Sequence, residues 1–203
     1  MTKMKLVYEV TGNYYKDISK KDMMRTFVAV EISNDDVIHS IKKIQDKVNI
    51  NAKAIDSESL HFTLQFLGEV SDDDSEKIID ALNTIEFSSF KINLKGIGAF
   101  PKSKFPRVIW IGTDEGGGNM LIQLAKKVEK VLEPLGFSPD KPFKPHVTIF
   151  RIKKKVDDIT KELDKQKMID FGIQEITSFK LKKSELTSTG PIYSDLEEIQ
   201  ARK

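Results

Sequence analysis

Apolar positions recur in two rhythms along this chain, one of three to four residues and one of two, and the switches between them predict its elements. Arg25-Thr26-Phe27-Val28-Ala29-Val30-Glu31-Ile32 reads as a buried strand. From Asn34, the spacing of Val37, Ile41, Ile44 and Val48 marks one helical face, opened by Ser33, Asn34 and the acids Asp35 and Asp36. The run from His61 to Gly68 alternates, so Phe62, Leu64 and Phe66 are expected to face a core while His61, Thr63 and Gln65 face away. A second helix is predicted over 72–85, with Ser71 as its cap and Ile78, Ile79, Leu82 and Ile85 on its buried side. Strands follow over 90–100 and 107–113.

Gly116-Gly117-Gly118 has the look of a phosphate loop, but no Lys-Ser/Thr pair follows, so these glycines are expected to form a flexible turn before the next helix. That helix carries Leu121, Leu124, Val128, Val131 and Leu135 on one stripe and exits at Gly136. Pro139, Pro142 and Pro145 keep the approach to His146 extended, and His146-Val147-Thr148-Ile149-Phe150 then alternates in the phase of the first histidine strand. A fourth amphipathic helix is expected over 156–167, and strands over 169–186 and near 192–196. Residues 1–24, rich in tyrosine and lysine, read as an N-terminal extension, with 4–10 able to add an edge strand and Met24 able to serve as a second start.

The order is strand, helix, histidine strand, helix, two strands, then helix, histidine strand, helix, two strands, a rough duplication. It implies an α+β fold over 25–203 of two similar lobes, each an antiparallel sheet backed by helices, with an active-site cleft between the two sheets lined by the histidine strands.

Composition narrows the chemistry. The 203 residues are 39% apolar and 32% charged, which excludes a disordered or fibrous chain. With 33 Lys and Arg against 31 Asp and Glu the net charge is only +2, so a polyanion must be attracted by a local patch. Lys141, Lys144, Arg151, Lys153, Lys154 and Lys155 form one basic cluster, and Lys102, Lys104 and Arg107 form another. Phe105, Phe143 and Phe150 could stack a base, although aromatic residues in such a chain more often fill the core. The absence of cysteine removes disulfides, thiolate nucleophiles and cysteine-based zinc sites. No run approaches the ~20 apolar residues that span a bilayer, and the N-terminus lacks a signal peptide's apolar centre, so a cytoplasmic monomer without membrane contact is expected.

Acid–base chemistry then falls to His, Asp and Glu. His61 and His146 are each followed by Thr two positions on, and a strand's period of two aims both side chains of each pair at the same space. A metal site is less well supported, since no His-x-His or His-Glu-x-x-His occurs and Asp72-Asp73-Asp74 suits the first turn of a helix. His39 is expected on the surface. Arg151 breaks the alternation, because strict parity from His146 would put it on the face of Val147 and Ile149, so the strand either ends or bulges there.

The paired motifs His61-Phe62-Thr63-Leu64 and His146-Val147-Thr148-Ile149 resemble those of the 2H phosphoesterase superfamily, and within it the RNA 2',3'-cyclic phosphodiesterase (2'-5' RNA ligase) family. The likeness extends to Arg25-Thr26-Phe27-Val28-Ala29-Val30, Phe66-Leu67-Gly68, Pro106-Arg107-Val108-Ile109-Trp110 and Gly190-Pro191-Ile192-Tyr193, covering about residues 24 to 196. It implies hydrolysis of RNA 2',3'-cyclic phosphate ends to the 2'-phosphate, with 2'-5' ligation as the related reaction, on RNA ends or small cyclic nucleotides. His61 and His146 would be the catalytic acid and base, and neither a metal nor a cofactor is called for. Thr63 and Thr148 would bind phosphoryl oxygens, and the resemblance places Arg151 beside the phosphate. It tilts His61 toward the acid for the leaving 3'-oxygen and His146 toward the base for water. A non-catalytic RNA-end binding module is the alternative of a different class.

Overall fold

Strand-forming runs fall where the two-residue rhythm places them. They are β1 (Met23–Glu31), β2 (Lys53–Ala54), β3 (His61–Ser71), β4 (Phe90–Phe100), β5 (Val108–Thr113), β6 (Val147–Arg151), β7 (Asp170–Ile176), β8 (Ser178–Leu186) and β9 (Pro191–Gln200). The helices are α1 (Asp35–Lys47), α2 (Asp72–Asn83), α3 (Glu115–Leu132) and the short α4 (Thr160–Asp164). The structure is a computed structural model and describes residues 23–48, 50–153, 158–188 and 190–202. The extension up to residue 22 with its edge strand at 4–10, the start of the expected fourth helix at Val156, and Lys154 and Lys155 lie outside the described residues.

The α+β class is as expected, but the strands do not form two separate sheets. They join one antiparallel sheet in the order β7-β4-β5-β6-β3-β1-β8-β9, with β2 added alongside β6. Its two halves meet where β3 and β6 pair through one residue couple, Phe62 with Val147. Both side chains are fully buried on the helix side, so core packing closes a seam that strand hydrogen bonding alone would leave weak.

All four helices contribute to a core on one face of the sheet. Val37, Ile41 and Ile44 of α1, Ile78 and Leu82 of α2, Leu121, Leu124 and Val128 of α3, and Leu163 of α4 pack with Val28, Val30, Phe62, Leu64, Val147 and Ile149. Side-chain caps fix where the three longer helices begin. Asn34 Oδ1 accepts from the Val37 N–H at 3.1 Å, Ser71 Oγ from the Asp74 N–H at 3.1 Å, and Asp114 Oδ2 from the Gly117 N–H at 3.0 Å. His39 is exposed, as expected. Among the described residues no helix is long and apolar enough to cross a membrane.

The glycine run departs from expectation, since Gly116, Gly117 and Gly118 form the first turn of α3 rather than a turn before it. Their reason is proximity. A Cβ on Gly117 would lie 2.8 Å from the Ile92 Cα, so the helix start rests on the backbone of β4. Helix propensity alone makes Ala better than Gly by about 1 kcal/mol in a helix. Gly117→Ala is nevertheless expected to destabilise the fold by about 1–3 kcal/mol, because overpacking against β4 outweighs propensity; the midpoint of urea unfolding measures the sign.

Candidate active site

The seam between β3 and β6 sets the geometry of the polar face. With Phe62 opposite Val147, the antiparallel register aligns His61 with Thr148 and Thr63 with His146. Each histidine therefore sits across from the other motif's threonine. The two histidines are diagonal neighbours, a relation that spans about 7–8 Å between Cα atoms in a regular ladder. His61, Thr63, His146, Thr148 and Arg151 all line one pocket of about 360 Å³, so the five residues singled out from sequence come together.

Arg151 reaches that pocket through a bulge. In the ladder with β5, Ile109 pairs with Phe150 and Trp110 with Thr148, so Ile149 is the extra residue. The bulge turns Phe150 into the core and swings Arg151 to the face of His146 and Thr148. β3 repeats the device: against β1, Val28 pairs with Gln65 and Ala29 with Thr63, leaving Leu64 extra. This overturns two expectations. Gln65 is buried, its Nε2 donating to the Phe137 carbonyl at 2.9 Å, while Phe66 is 70% exposed and lines the pocket. In both strands the bulge falls three residues after the histidine and delivers the fifth to the site.

The two imidazoles are held alike. His61 Nδ1 lies 2.8 Å from the Ser59 carbonyl and His146 Nδ1 2.7 Å from the Lys144 carbonyl. A carbonyl can only accept, so Nδ1 carries the proton and Nε2 is the free atom of each neutral ring. Each ring also meets an aromatic side chain edge-on: Tyr193 for His61 at 5.4 Å and 89°, Phe100 for His146 at 5.0 Å and 88°. Burial is the main force lowering both pKa values, opposed by the backbone contacts and aided by nearby cations. His61 falls to about 4, with Lys182 and Arg151 contributing, and His146 falls below its usual value with Arg151 contributing.

Behind His61 lies a ring of four charges. Glu31, its register partner on β1, and Asp195 on β9 are both bound by Lys180 and Lys182 of β8, with Lys180 at 2.7 Å and 2.6 Å. Lys182 is only 5% exposed. Burial pushes the Glu31 and Asp195 carboxyls up, but the two lysines prevail and hold both below the usual range.

Sequence reading missed this ring because Glu31 lies 151 residues from Lys182 in the chain and meets it only when β1 and β8 pair. It also missed Phe66, Tyr193, Phe100, Leu186 and Lys53 as pocket residues. Gly98 makes room for the Trp110 ring, 2.2 Å from where its Cβ would lie, and that ring packs beside Phe100 and His146. Of the expected basic clusters, Arg151 and Lys153 line the pocket, while Lys141, Lys144, Lys102, Lys104 and Arg107 do not. Phe150 is core, Phe143 packs on its edge, and exposed Phe105 lies under the Lys102 ammonium away from the site. Among the described residues no three of His, Asp and Glu are grouped to hold a metal.

The site thus joins two His-x-Thr pairs at the seam of one antiparallel sheet with helices on one face. Residues 25–200 match the model of the AKAP7 2'5' RNA ligase-like domain, and the chain belongs to that family. It is 42% identical over 175 residues to an Archaeoglobus fulgidus protein named RNA 2',3'-cyclic phosphodiesterase, covering 85% of this chain and 98% of that one. It is 37% identical to an Aeropyrum pernix protein of the same name, covering 81% and 97%. A Thermus thermophilus crystal structure superposes with a TM-score of 0.75 at 29% identity, covering 88% of this chain and 98% of the other.

Trp110 is the chain's single tryptophan, and its ring centroid is 6.4 Å from that of His146. A protonated imidazole at this range quenches indole emission. Fluorescence is therefore expected to fall on acidification with a midpoint below the ordinary imidazole value of about 6.5, and His146→Ala is expected to abolish that transition.

Proposed function

We propose that the protein hydrolyses RNA 2',3'-cyclic phosphate ends to 2'-phosphates by metal-independent acid–base catalysis. The observation that carries this reading is the convergence of two His-x-Thr pairs on one pocket, each histidine opposite the other pair's threonine. The names of the relatives add the substrate class.

The cyclic phosphate sits between the strands, its non-bridging oxygens accepting hydrogen bonds from the Thr63 and Thr148 hydroxyls and the Arg151 guanidinium. One Nε2 takes a proton from water as its oxygen bonds to phosphorus. The P–O3' bond breaks, and the other imidazole gives its proton to O3', leaving the phosphate on the 2'-oxygen. With a ribose 5'-hydroxyl in place of water, the same step forms a 2'-5' linkage. The deeper depression of His61 favours it as the neutral base and His146 as the acid, the reverse of the tilt taken from the family resemblance.

His61→Ala and His146→Ala are each expected to lower turnover of a nucleoside 2',3'-cyclic phosphate by at least ~10²-fold, and Thr63→Val or Thr148→Val by roughly 10- to 10³-fold. The assay is run in excess chelator with the phosphate isomer identified. Loss of wild-type activity to chelator, or a 3'-phosphate product, overturns the mechanism, and binding without turnover leaves the binding-module reading.

The active free form has His61 neutral and His146 protonated. kcat/KM is accordingly expected to rise as pH climbs through about 4, where His61 loses its proton, and to fall before pH reaches the ordinary imidazole range, where His146 loses its own. A substrate with sulfur for the 3'-oxygen needs little protonation to leave, so it is expected to rescue His146→Ala and not His61→Ala. The opposite pattern exchanges the two roles.

A further inference from the structure

The ring of Glu31, Lys180, Lys182 and Asp195 lies on the same face of the sheet as the reacting groups. On β1 Glu31 follows the core residue Val30, and on β8 Lys180 and Lys182 flank the core residue Leu181, so these charged side chains point away from the helices. They converge on His61 from three strands. Glu31 is opposite His61 in the register of β1 with β3. Lys182 is opposite Phe27 in the register of β1 with β8, and the Phe27 ring is 5.1 Å from the His61 ring. Asp195, opposite Lys182 on β9, lies two residues from Tyr193, the ring that meets His61 edge-on.

Stability does not account for such a ring. Ammonium and carboxylate groups held away from water lose hydration that their attraction at best repays, and apolar residues of similar volume serve a fold as well. Surface pairs such as Arg25 with Glu69 and Arg202 with Glu86 keep half or more of each side chain in water, whereas Lys182 is buried. A buried lysine behind one of two reacting imidazoles therefore calls for a chemical reason.

Resting on the proposed reaction, we propose that Glu31 and Lys182 are positioning residues for proton transfer at His61: as a matched buried pair they oppose one another at the imidazole, so that its protonation follows the substrate phosphate and not a fixed charge of the protein. Glu31 favours the imidazolium, while Lys182 and Arg151 disfavour it. The other titratable groups around His61 are Tyr193 on β9 and His146 on β6, with Lys53, Asp56 and Lys153 at the pocket wall. Among the described residues His146 feels Arg151 but no such pair. A lone Lys182 would bar the proton from His61 and a lone Glu31 would hold it there. Either removes one of the two states through which an acid–base residue must pass. Lys180 and Asp195 give each member of the pair its second partner, which keeps both side chains in place.

The test is the midpoint of the His61 titration, followed by imidazole NMR on the substrate-free protein, with the acid limb of kcat/KM against pH beside it. Lys182→Met leaves Glu31 to favour the imidazolium and is expected to raise both by about one pH unit. Glu31→Gln leaves Lys182 to disfavour it and is expected to lower both by about as much. The double variant Glu31→Gln/Lys182→Met is expected to return both close to the wild-type values. It restores none of the hydrogen bonds that the single variants lose, so a merely structural role would give no such recovery. The His146 midpoint is expected to stay in place throughout. Single variants that leave His61 unmoved or shift it in one common direction, a double variant displaced as far as either single one, or equal movement of His146 overturns the proposal. Should a single variant fail to fold, the double variant still decides: a His61 midpoint close to wild type supports the balance, and a displaced one refutes it. The NMR midpoints need no turnover, so a wild-type protein that hydrolyses no cyclic phosphate defeats the proposed reaction separately.

Discussion

Everything at the polar face depends on one residue couple, Phe62 on β3 opposite Val147 on β6. Both side chains are fully buried against the helices, so the couple is fixed from the core side and read out on the other. Because side chains alternate along a strand, a slip of one residue at this seam would turn one motif's histidine and threonine into the core. The cost of burying an imidazole and a hydroxyl there would be several kcal/mol, which makes the register self-enforcing. The core thus does chemical work at a distance of one side chain, by holding two segments 85 residues apart in the chain in register.

The bulges are the second constraint, and they use the same parity rule in reverse. An extra residue three places beyond each histidine lets consecutive buried residues, Ile149 and Phe150 in β6 or Leu64 and Gln65 in β3, all face inward. The following residue is then returned to the site face. Identical backbone devices thereby present a guanidinium on one side and a phenyl ring on the other. The asymmetry of the pocket comes from side-chain choice at two equivalent positions, with no change of fold.

This explains what the sequence disclosed and what it withheld. The starts of α1 and α2 were legible because Asn34 and Ser71 cap them with short-range hydrogen bonds, and the buried stripe of α3 because its apolar spacing spans several turns. The two histidines and threonines were legible because a period of two needs only local geometry. Phe66 was misread because alternation assumes a regular ladder, and a bulge depends on the partner strand. Gly117 was misread because its tight contact is with Ile92, 25 positions earlier. Arg151 was the one place where the broken pattern itself announced a bulge. The Glu31, Lys180, Lys182 and Asp195 ring left no local trace, since its pairing exists only once β1, β8 and β9 are side by side.

That ring bears on how the histidines can work at all. Burying isolated charges beside His61 would hold its proton on or off whatever the substrate did, whereas two cations bound to two anions leave little net field. Desolvation is the first cause of the fall in the His61 pKa to about 4, with Lys182 and Arg151 adding to it and the Ser59 carbonyl and Glu31 opposing it. A phosphate monoanion about 4 Å from an imidazolium contributes about 4 kcal/mol at an effective dielectric constant near 20. By the 1.36 kcal/mol equivalence that is about three pKa units, comparable with the depression burial imposes. The charge of a bound phosphate is therefore large enough to restore a proton to the pair. A bound phosphate thus opposes the depression that burial imposes on both imidazoles.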